Sequence, residues 1–294
     1  MKCRVAAGLC VLTICLVMPA AAQTSGAVEA SNPEGKGFTS YIQFMGSSNS
    51  LGQVMDLDSS LGYNFSKYFG IDAGVPVYFV RGTDSTGATY SSNGLGNLYG
   101  DVRLTLKNPL LNYFTVATGF APTGDTKHGL STGQATYDWN NHFDHSFGHL
   151  TPFVEAGLGN SIQNSQLFNR PFTSLGFNSH FAGGAEYSLF HLVGVGASVY
   201  AIVPSGQQTV YSKFVPSQAG GNAAGRNPFI SAPQVAGTAD LTRDHGFSAW
   251  VDAHPGMLDL LLGYTRSVDY DLNTVAFGVG VNLGRLLHSD HRNN

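Results

Sequence analysis

Between Leu98 and Lys107, apolar and polar residues alternate along the chain. One parity holds Leu98, Val102, Leu104 and Leu106, with Gly100 among them, and the other holds Tyr99, Asp101, Arg103, Thr105 and Lys107. A strand points successive side chains to opposite faces, so this segment has one apolar face and one charged face. About twelve stretches of the chain share this pattern, which predicts a β-barrel with lipid outside and water inside.

The first 22 residues have the features of a signal peptide. Lys2 and Arg4 precede an apolar run from Val5 to Met18, and small residues at 19–22 offer a cleavage site before Gln23. An uncleaved membrane helix is the alternative, but a span needs about 20 apolar residues and this run is shorter. The sequence therefore predicts export, followed by a flexible periplasmic leader (residues 23–37), a barrel (38–284) and a polar tail (285–294).

The composition excludes several classes of function. Cys3, Cys10 and Cys15 all lie in the predicted signal peptide, so the mature chain has no cysteine for a disulfide, a thiolate metal site or a nucleophile. Cleavage also removes Lys2 and Arg4, which changes the net charge from −4 to −6 and argues against nucleic acid as a partner. Charged residues make up 12% of the chain, below the roughly 25% of soluble domains. No cofactor is expected.

The fold class predicted is all-β, an antiparallel transmembrane β-barrel of about 12 strands, with 10 or 14 as alternatives. Pro76 lies inside the third strand, where it cannot donate to the ladder, so we expect an irregularity there. Four longer loops are expected at 81–94, 122–133, 162–174 and 204–242. The strands are expected at 38–46, 54–65, 69–80, 95–106, 111–121, 134–145, 149–161, 175–189, 191–203, 243–254, 257–268 and 273–284.

The connections between strands alternate between short turns and mostly longer loops. Bacterial barrels with both termini in the periplasm have this alternation. A soluble β-sandwich or lipocalin-like barrel would also alternate. In a soluble barrel, however, the apolar face fills the interior, and twelve strands would enclose a cavity too large to fill easily. The sequence favours the membrane barrel. The last of the longer-loop positions, near 269–273, is short and breaks the trend.

The polar face carries the candidate functional residues. Nine acidic residues are predicted to point inward, but only two basic residues, Arg103 and Lys107, are predicted to do so. Whether His142 and His180 add positive charge is left open. Charges along a confined aqueous path bias which ions enter, which favours neutral or cationic solutes. The alternative is that these acids pair with Arg103 and its neighbours to brace the wall. The candidates for lining the lumen are Asp72, Asp101, Arg103, Lys107, Asp138, Glu155, Glu186 and Asp252, and the remaining acids are Asp58, Asp144 and Asp259.

Three motifs in residues 94–160 resemble a known family. They are Gly94-Leu95-Gly96-Asn97 followed by Asp101 and Arg103, then Ala121-Pro122-Thr123-Gly124-Asp125, then Leu130-Ser131-Thr132-Gly133 followed by Asp138-Trp139. In order and spacing these are similar to the outer-membrane family named for meta-pathway phenol degradation. The resemblance implies a barrel that passes small, often aromatic or hydrophobic, compounds. The chain departs from such barrels by lacking a terminal aromatic residue.

Residues of the first and second motifs also have a structural interpretation. Gly94, Gly96, Pro122, Gly124 and Asp125 are residue types that turn the chain and allow unusual backbone angles. We therefore expect them to form a turn motif at the ends of two strands.

Two further kinds of site are considered. His142, Asp144, His145 and His149 suggest a metal, but only His142 and Asp144 share a face of a strand, and no metal site is predicted. His142, Ser146 and Asn140 could be imagined as a hydrolase triad, but no G-x-S-x-G turn is present, and no catalytic residue is predicted.

The sequence thus favours a non-enzymatic channel or transporter in the bacterial outer membrane. Its expected partners are membrane lipid, small-molecule solutes and the outer-membrane assembly machinery. The alternative is a structural or adhesive barrel without an open pore, and an outer-membrane hydrolase is the least favoured.

Overall fold

The computed structural model describes residues 36–83, 89–126, 128–161, 172–190, 192–212 and 234–283. The predicted signal peptide, residues 23–35 of the leader and the C-terminal tail lie outside these ranges. The structure contains sixteen strands in these ranges. The first twelve in chain order are β1 Gly37–Asn49, β2 Gly52–Asn64, β3 Phe69–Thr83, β4 Thr89–Leu95, β5 Tyr99–Lys107, β6 Asn112–Phe120, β7 Thr136–Asp144, β8 Leu150–Gly159, β9 Phe172–Leu175, β10 Asn178–Phe190, β11 Val193–Pro204 and β12 Gln208–Ser212. They are followed by β13 Gln234–Gly237, a 3-10 turn at Ala239–Leu241, β14 Asp244–Ala253, β15 Leu258–Ser267 and β16 Leu272–Asn282.

Twelve of these strands form the wall of a closed antiparallel barrel. The order around the wall is β1, β2, β3, β5, β6, β7, β8, β10, β11, β14, β15 and β16. The first and last strands pair, with Tyr41 opposite Asn282 and Ser48 opposite Val275, so the sheet closes on itself. The predicted fold class and strand number are confirmed. Among the described residues, no helix is long and apolar enough to cross a membrane.

The two faces of the wall differ in chemistry. In β16, for example, Thr274, Ala276 and Gly278 are buried inside, while Val275 and Phe277 are exposed on the outer surface. The same inversion recurs around the wall, with apolar side chains outside and polar or charged ones inside. A soluble barrel would show the opposite arrangement, and the soluble alternative is therefore rejected.

Both described ends of the wall, Gly37 and Asn282, lie at one end of the barrel. The short turns at 65–68, 108–111, 145–149 and 254–257 and the short connection from β10 to β11 lie at the same end. The opposite end carries the longer connections, together with two tight turns near 50–51 and 268–271. We call the first end the terminal end and the second the loop end.

Three of the predicted loops contain strands, which corrects the sequence interpretation. Predicted loop 81–94 holds β4, which pairs with the second half of β3. Loops 162–174 and 204–242 hold β9, β12 and β13, which form a separate three-stranded sheet at the loop end. These strands prolong β10, β11 and β14 beyond the barrel, where alternation is weak because neither face meets lipid.

The irregularity expected at Pro76 is confirmed. β3 pairs with β5 as far as Gly74 and with β4 from Val77 onward, and residues 96–98 interrupt the partner strand opposite Pro76. The backbone N–H of Gly96 donates to the carbonyl of Pro76 at 2.8 Å. The proline thus lies where the ladder changes partner, and its lack of an N–H breaks no regular pairing with β2.

Candidate channel lumen

One side of the interior is a charged wall built by β2, β3 and β5. Arg103 forms a buried ion pair with Asp72 and donates to the side-chain oxygen of Asn64 at 3.2 Å. The hydroxyl of Thr39 donates to the same Asp72 carboxylate at 3.0 Å. Arg103 is 3% exposed, so its charge is neutralised inside the protein rather than by bulk water.

Two more acids lie next to this pair. The hydroxyl of Tyr99 donates to Asp58 at 2.8 Å. Asp101 lies between Asp72 on β3 and Thr118 on β6 in the ladder, and it is 2% exposed. Three carboxylates therefore share the neighbourhood of a single arginine. This concentrates negative charge on one side of the interior.

Histidines contact a second group of acids. The His142 ring contacts Glu155 at 2.7 Å and Asp144 at 3.3 Å. His180 reaches across the small Gly157 to contact Asp138 at 3.0 Å. These contacts join β7, β8 and β10 by their inward side chains, so histidine is part of the bracing that the sequence left open.

A third histidine lies at the terminal end, in the turn between β14 and β15. His254 contacts Asp252 at 3.0 Å and Asp259 at 2.9 Å. A side chain at Gly194 would meet the carboxylates of both Asp252 and Glu186, which places these two acids side by side. His254 was not singled out from the sequence, which placed it at the end of a predicted strand (243–254) and gave no sign that its partners lie on both flanking strands.

All eight lumen-lining candidates point to the interior face of their strands. Seven of them lie within the wall, and the eighth, Lys107, is exposed at the terminal end of β5. The structure brings Asp72, Asp101 and Arg103 together, and it places Asp138 and Glu155 beside histidines. Most of these side chains have partners, which favours bracing over a freely hydrated charged surface.

The interior also holds an apolar cluster. Met45, Phe153, Trp250, Leu261 and Ala276 form one buried cluster, which we call the apolar bridge. The rings of Phe153 and Trp250 have their centroids 6.0 Å apart. Phe153 also stacks on His142, with a centroid distance of 5.5 Å and an angle of 18° between the planes.

The sequence placed Phe153 on the inward face but did not identify the bridge. Alternation gives the direction in which a side chain points, but not which distant strand it meets across a barrel. The available signal was a large apolar residue on the polar parity of a strand, which applies to Phe153 and also to Trp250 on β14.

The turn-motif residues converge on the loop between β6 and β7, residues 121–126 and 128–135, which we call the β6–β7 loop. The backbone N–H of Asp125 donates to Leu95 at 3.2 Å, and that of Gly124 donates to the Asn97 side chain at 3.1 Å. A β-carbon at Gly124 would collide with the backbone of Gly96, so the two chains approach too closely for another residue.

The same loop folds into the barrel rather than out of it. Leu130 is buried against the inward residues Val54 and Val80, with Tyr78 at the margin. Gly94 lies directly beside Leu130. The interior therefore narrows towards the loop end through the β6–β7 loop. For loop 204–242, residues 213–233 lie outside the described ranges, and Val210 of β12 packs against Leu51, Leu241 and Tyr270 at the loop end.

The residues considered for a metal do not converge. His142 contacts Asp144, but His145 lies against Phe147 and His149 against Tyr187. In the part of the chain that the structure describes, no three histidine, cysteine or acidic residues are grouped to hold a metal ion.

Two of the three residues considered for serine catalysis have other partners. The Ser146 hydroxyl pairs with that of Thr151 at 3.0 Å. The two ring nitrogens of His142 face Glu155 and Asp144. Asn140 is buried on the inner face of β7.

Comparisons with known proteins find similarity in structure alone. No protein-family model and no curated protein matches the chain, so the resemblance to the phenol-degradation family stays a prediction. Among solved structures, the chain is similar to an outer-membrane channel from Pseudomonas putida F1, with a TM-score of 0.57 and 10% identity, covering 88% of this chain and 100% of that one.

Two porins are more distant. The NanC porin gives a TM-score of 0.44 at 8% identity, covering 83% of this chain and 99% of that one. OmpF of Salmonella typhi, in complex with daunomycin, gives 0.36 at 7% identity, covering 86% and 99%. The similarity to the Pseudomonas channel shows that the chain shares the β-barrel fold of that protein, and the two lower scores add no argument.

Proposed function

We propose that the chain is an outer-membrane channel or transporter for the passive passage of small molecules. The observation that carries this proposal is the inverted barrel, closed by hydrogen bonds between β1 and β16, apolar outside and charged inside. Such a wall satisfies its backbone in lipid and offers polar groups to a solute within. Insertion after export and signal-peptide cleavage would bring the chain to membrane lipid and the assembly machinery.

Small solutes with both polar and apolar parts, such as phenolic compounds, are the proposed cargo. The interior offers them two different surfaces, the charged wall around Arg103 and the apolar bridge around Trp250. Swelling of liposomes that contain the purified protein tests this directly. Phenolic solutes should enter faster than sugars of similar size, and equal entry of both would contradict the proposed cargo.

A preference for cations over anions is also proposed. Inward acids outnumber the inward arginine and lysine, and Asp101 has no ion pair among the described contacts. Reversal potentials across a planar bilayer in a salt gradient measure this preference. Asp101→Asn should shift the potential towards zero, whereas a clear anion preference in the unaltered protein would refute the proposal.

A sealed barrel with a structural or adhesive role is the second candidate. It is favoured by one observation, because most inward side chains of β1, β14, β15 and β16 are buried, as expected for a filled interior. Planar-bilayer conductance separates the two candidates, since a sealed barrel carries no current.

A further inference from the structure

We propose that the apolar bridge is the constriction of the lumen and that the Trp250 side chain is its movable part. This inference rests on the proposed channel function. It assigns the size limit of the pore to named side chains. Neither the fold nor the charged wall specifies that limit.

The apolar bridge extends around half of the barrel interior. Counted in either direction around the twelve strands, β8 with Phe153 and β1 with Met45 are six strands apart, so they face each other across the interior. Both residues nevertheless belong to one packed cluster. Met45, Ala276, Leu261 and Trp250 lie on four adjacent strands, and Phe153 joins them from beyond β10 and β11, so the cluster narrows the interior at this level.

The side chains of Phe153 and Trp250 meet on the interior side of the two strands that separate them. β8 and β14 are separated by β10 and β11, so the path along the wall is three strand spacings, or roughly 14 Å. The ring centroids are only 6.0 Å apart. Both side chains therefore lean inward, over the inner surfaces of β10 and β11.

A glycine on β11 makes room for the Trp250 ring. Gly184 lies opposite Phe153 in the ladder, and Gly196 lies opposite Trp250. A β-carbon at Gly196 would overlap the indole of Trp250, so the ring rests directly on the backbone there. On the far side, Met45 and Leu261 meet over Gly278 in the same way.

The two aromatic rings are held differently. Phe153 stacks on His142, which is fixed by Glu155 and Asp144. Trp250 is 4% exposed, yet its indole N–H has no hydrogen-bond partner among the residues that the structure describes. Buried indole N–H groups usually find a partner, and an unpaired one is destabilised. The closed position therefore stabilises the Trp250 ring less than the Phe153 ring, and Trp250 is the side chain that moves aside when a solute passes.

Conductance in planar bilayers tests the constriction. Trp250→Ala and Phe153→Ala should each raise single-channel conductance several-fold and admit larger sugars in liposome swelling. Trp139→Ala is the matched control, because Trp139 lies on the outer face and should leave both measurements unchanged. Heat-modifiable migration in gels and circular dichroism establish that each variant is folded.

The outcomes separate the constriction from the channel function. A conducting parent protein with an unchanged Trp250→Ala variant overturns the constriction and leaves the channel function intact. A silent parent with a conducting Trp250→Ala variant supports the constriction and identifies it as the seal. If the parent protein and its variants are folded but do not conduct, both the constriction and the channel function are overturned.

Fluorescence gives a second test that does not need conduction. The chain has two tryptophans, so Trp139→Phe leaves Trp250 as the single reporter. Its emission should resist quenching by both brominated lipid and aqueous acrylamide, and adding Phe153→Ala should increase acrylamide quenching. Strong quenching of Trp250 by brominated lipid would place its ring outside the barrel and refute the bridge.

Discussion

Arg103 holds the charged side of the interior together, and replacing it should be costly. In Arg103→Met, Asp72 loses its ion pair and Asn64 loses its donor, while Thr39 still donates to the carboxylate. The remaining Asp72 charge is buried and next to Asp101. Methionine keeps most of the length of the side chain, so the loss of stability results from the missing charge more than from the missing volume.

The size of the effect follows from burial. Removing one partner of a buried ion pair costs about 3–5 kcal/mol, because the other charge is left without compensation. Adding Asp72→Asn to Arg103→Met removes that charge, and the loss should fall to about 1–2 kcal/mol, the cost of imperfectly satisfied polar groups. The double variant should therefore be more stable than the single variant.

Equilibrium unfolding in guanidinium, with the barrel refolded into phospholipid vesicles, measures both values. Lys107→Met is the matched control, because Lys107 is on the same face of β5 but exposed, and surface changes usually stay within about 0.5 kcal/mol. If Arg103→Met costs less than about 1 kcal/mol, or if the double variant is no more stable than the single one, the assignment of a braced buried pair is wrong.

Three other changes test separate parts of the structure. Val199 is 65% exposed on the outer face of β11, and Val199→Arg should cost about 2–4 kcal/mol in vesicles if that face meets the membrane core; an unchanged unfolding midpoint would contradict this. Leu130→Ala should cost about 2–5 kcal/mol locally, seen as faster hydrogen exchange in the β6–β7 loop and not in β11, whereas uniform exchange would exclude a separately held loop. His142→Ala should loosen Phe153 and raise acrylamide quenching of Trp250 in the Trp139→Phe background, and unchanged quenching would show that the stacked histidine does not position the bridge.

The sequence predicted the wall well because lipid enforces its pattern. A strand in the membrane must present apolar side chains on every second position, so Val102 and Leu106 mark the outer face of β5 without any knowledge of its neighbours. The short turns follow from the same reasoning. The added strands β4, β9, β12 and β13 were missed, since beyond the membrane nothing requires their side chains to alternate.

The contacts inside the barrel could not be predicted from local pattern. The inward direction of Phe153, Asp138 and Glu155 follows from alternation, but their partners lie on strands whose register depends on the tilt of the whole sheet. His180 reaches Asp138 only because Gly157 lies between them. Such contacts depend on the positions of three strands, whereas the pattern in one stretch of sequence describes a single strand.

The pairing of β1 with β16 has a consequence for how the barrel is made. It joins the first and last strands, so the barrel cannot close until synthesis of the barrel sequence is nearly complete. Before then, two strand edges carry unpaired backbone amides that hydrocarbon would not tolerate. We therefore expect closure and entry into the bilayer to be coupled, because the pairing from Tyr41 opposite Asn282 to Ser48 opposite Val275 removes the last two free edges.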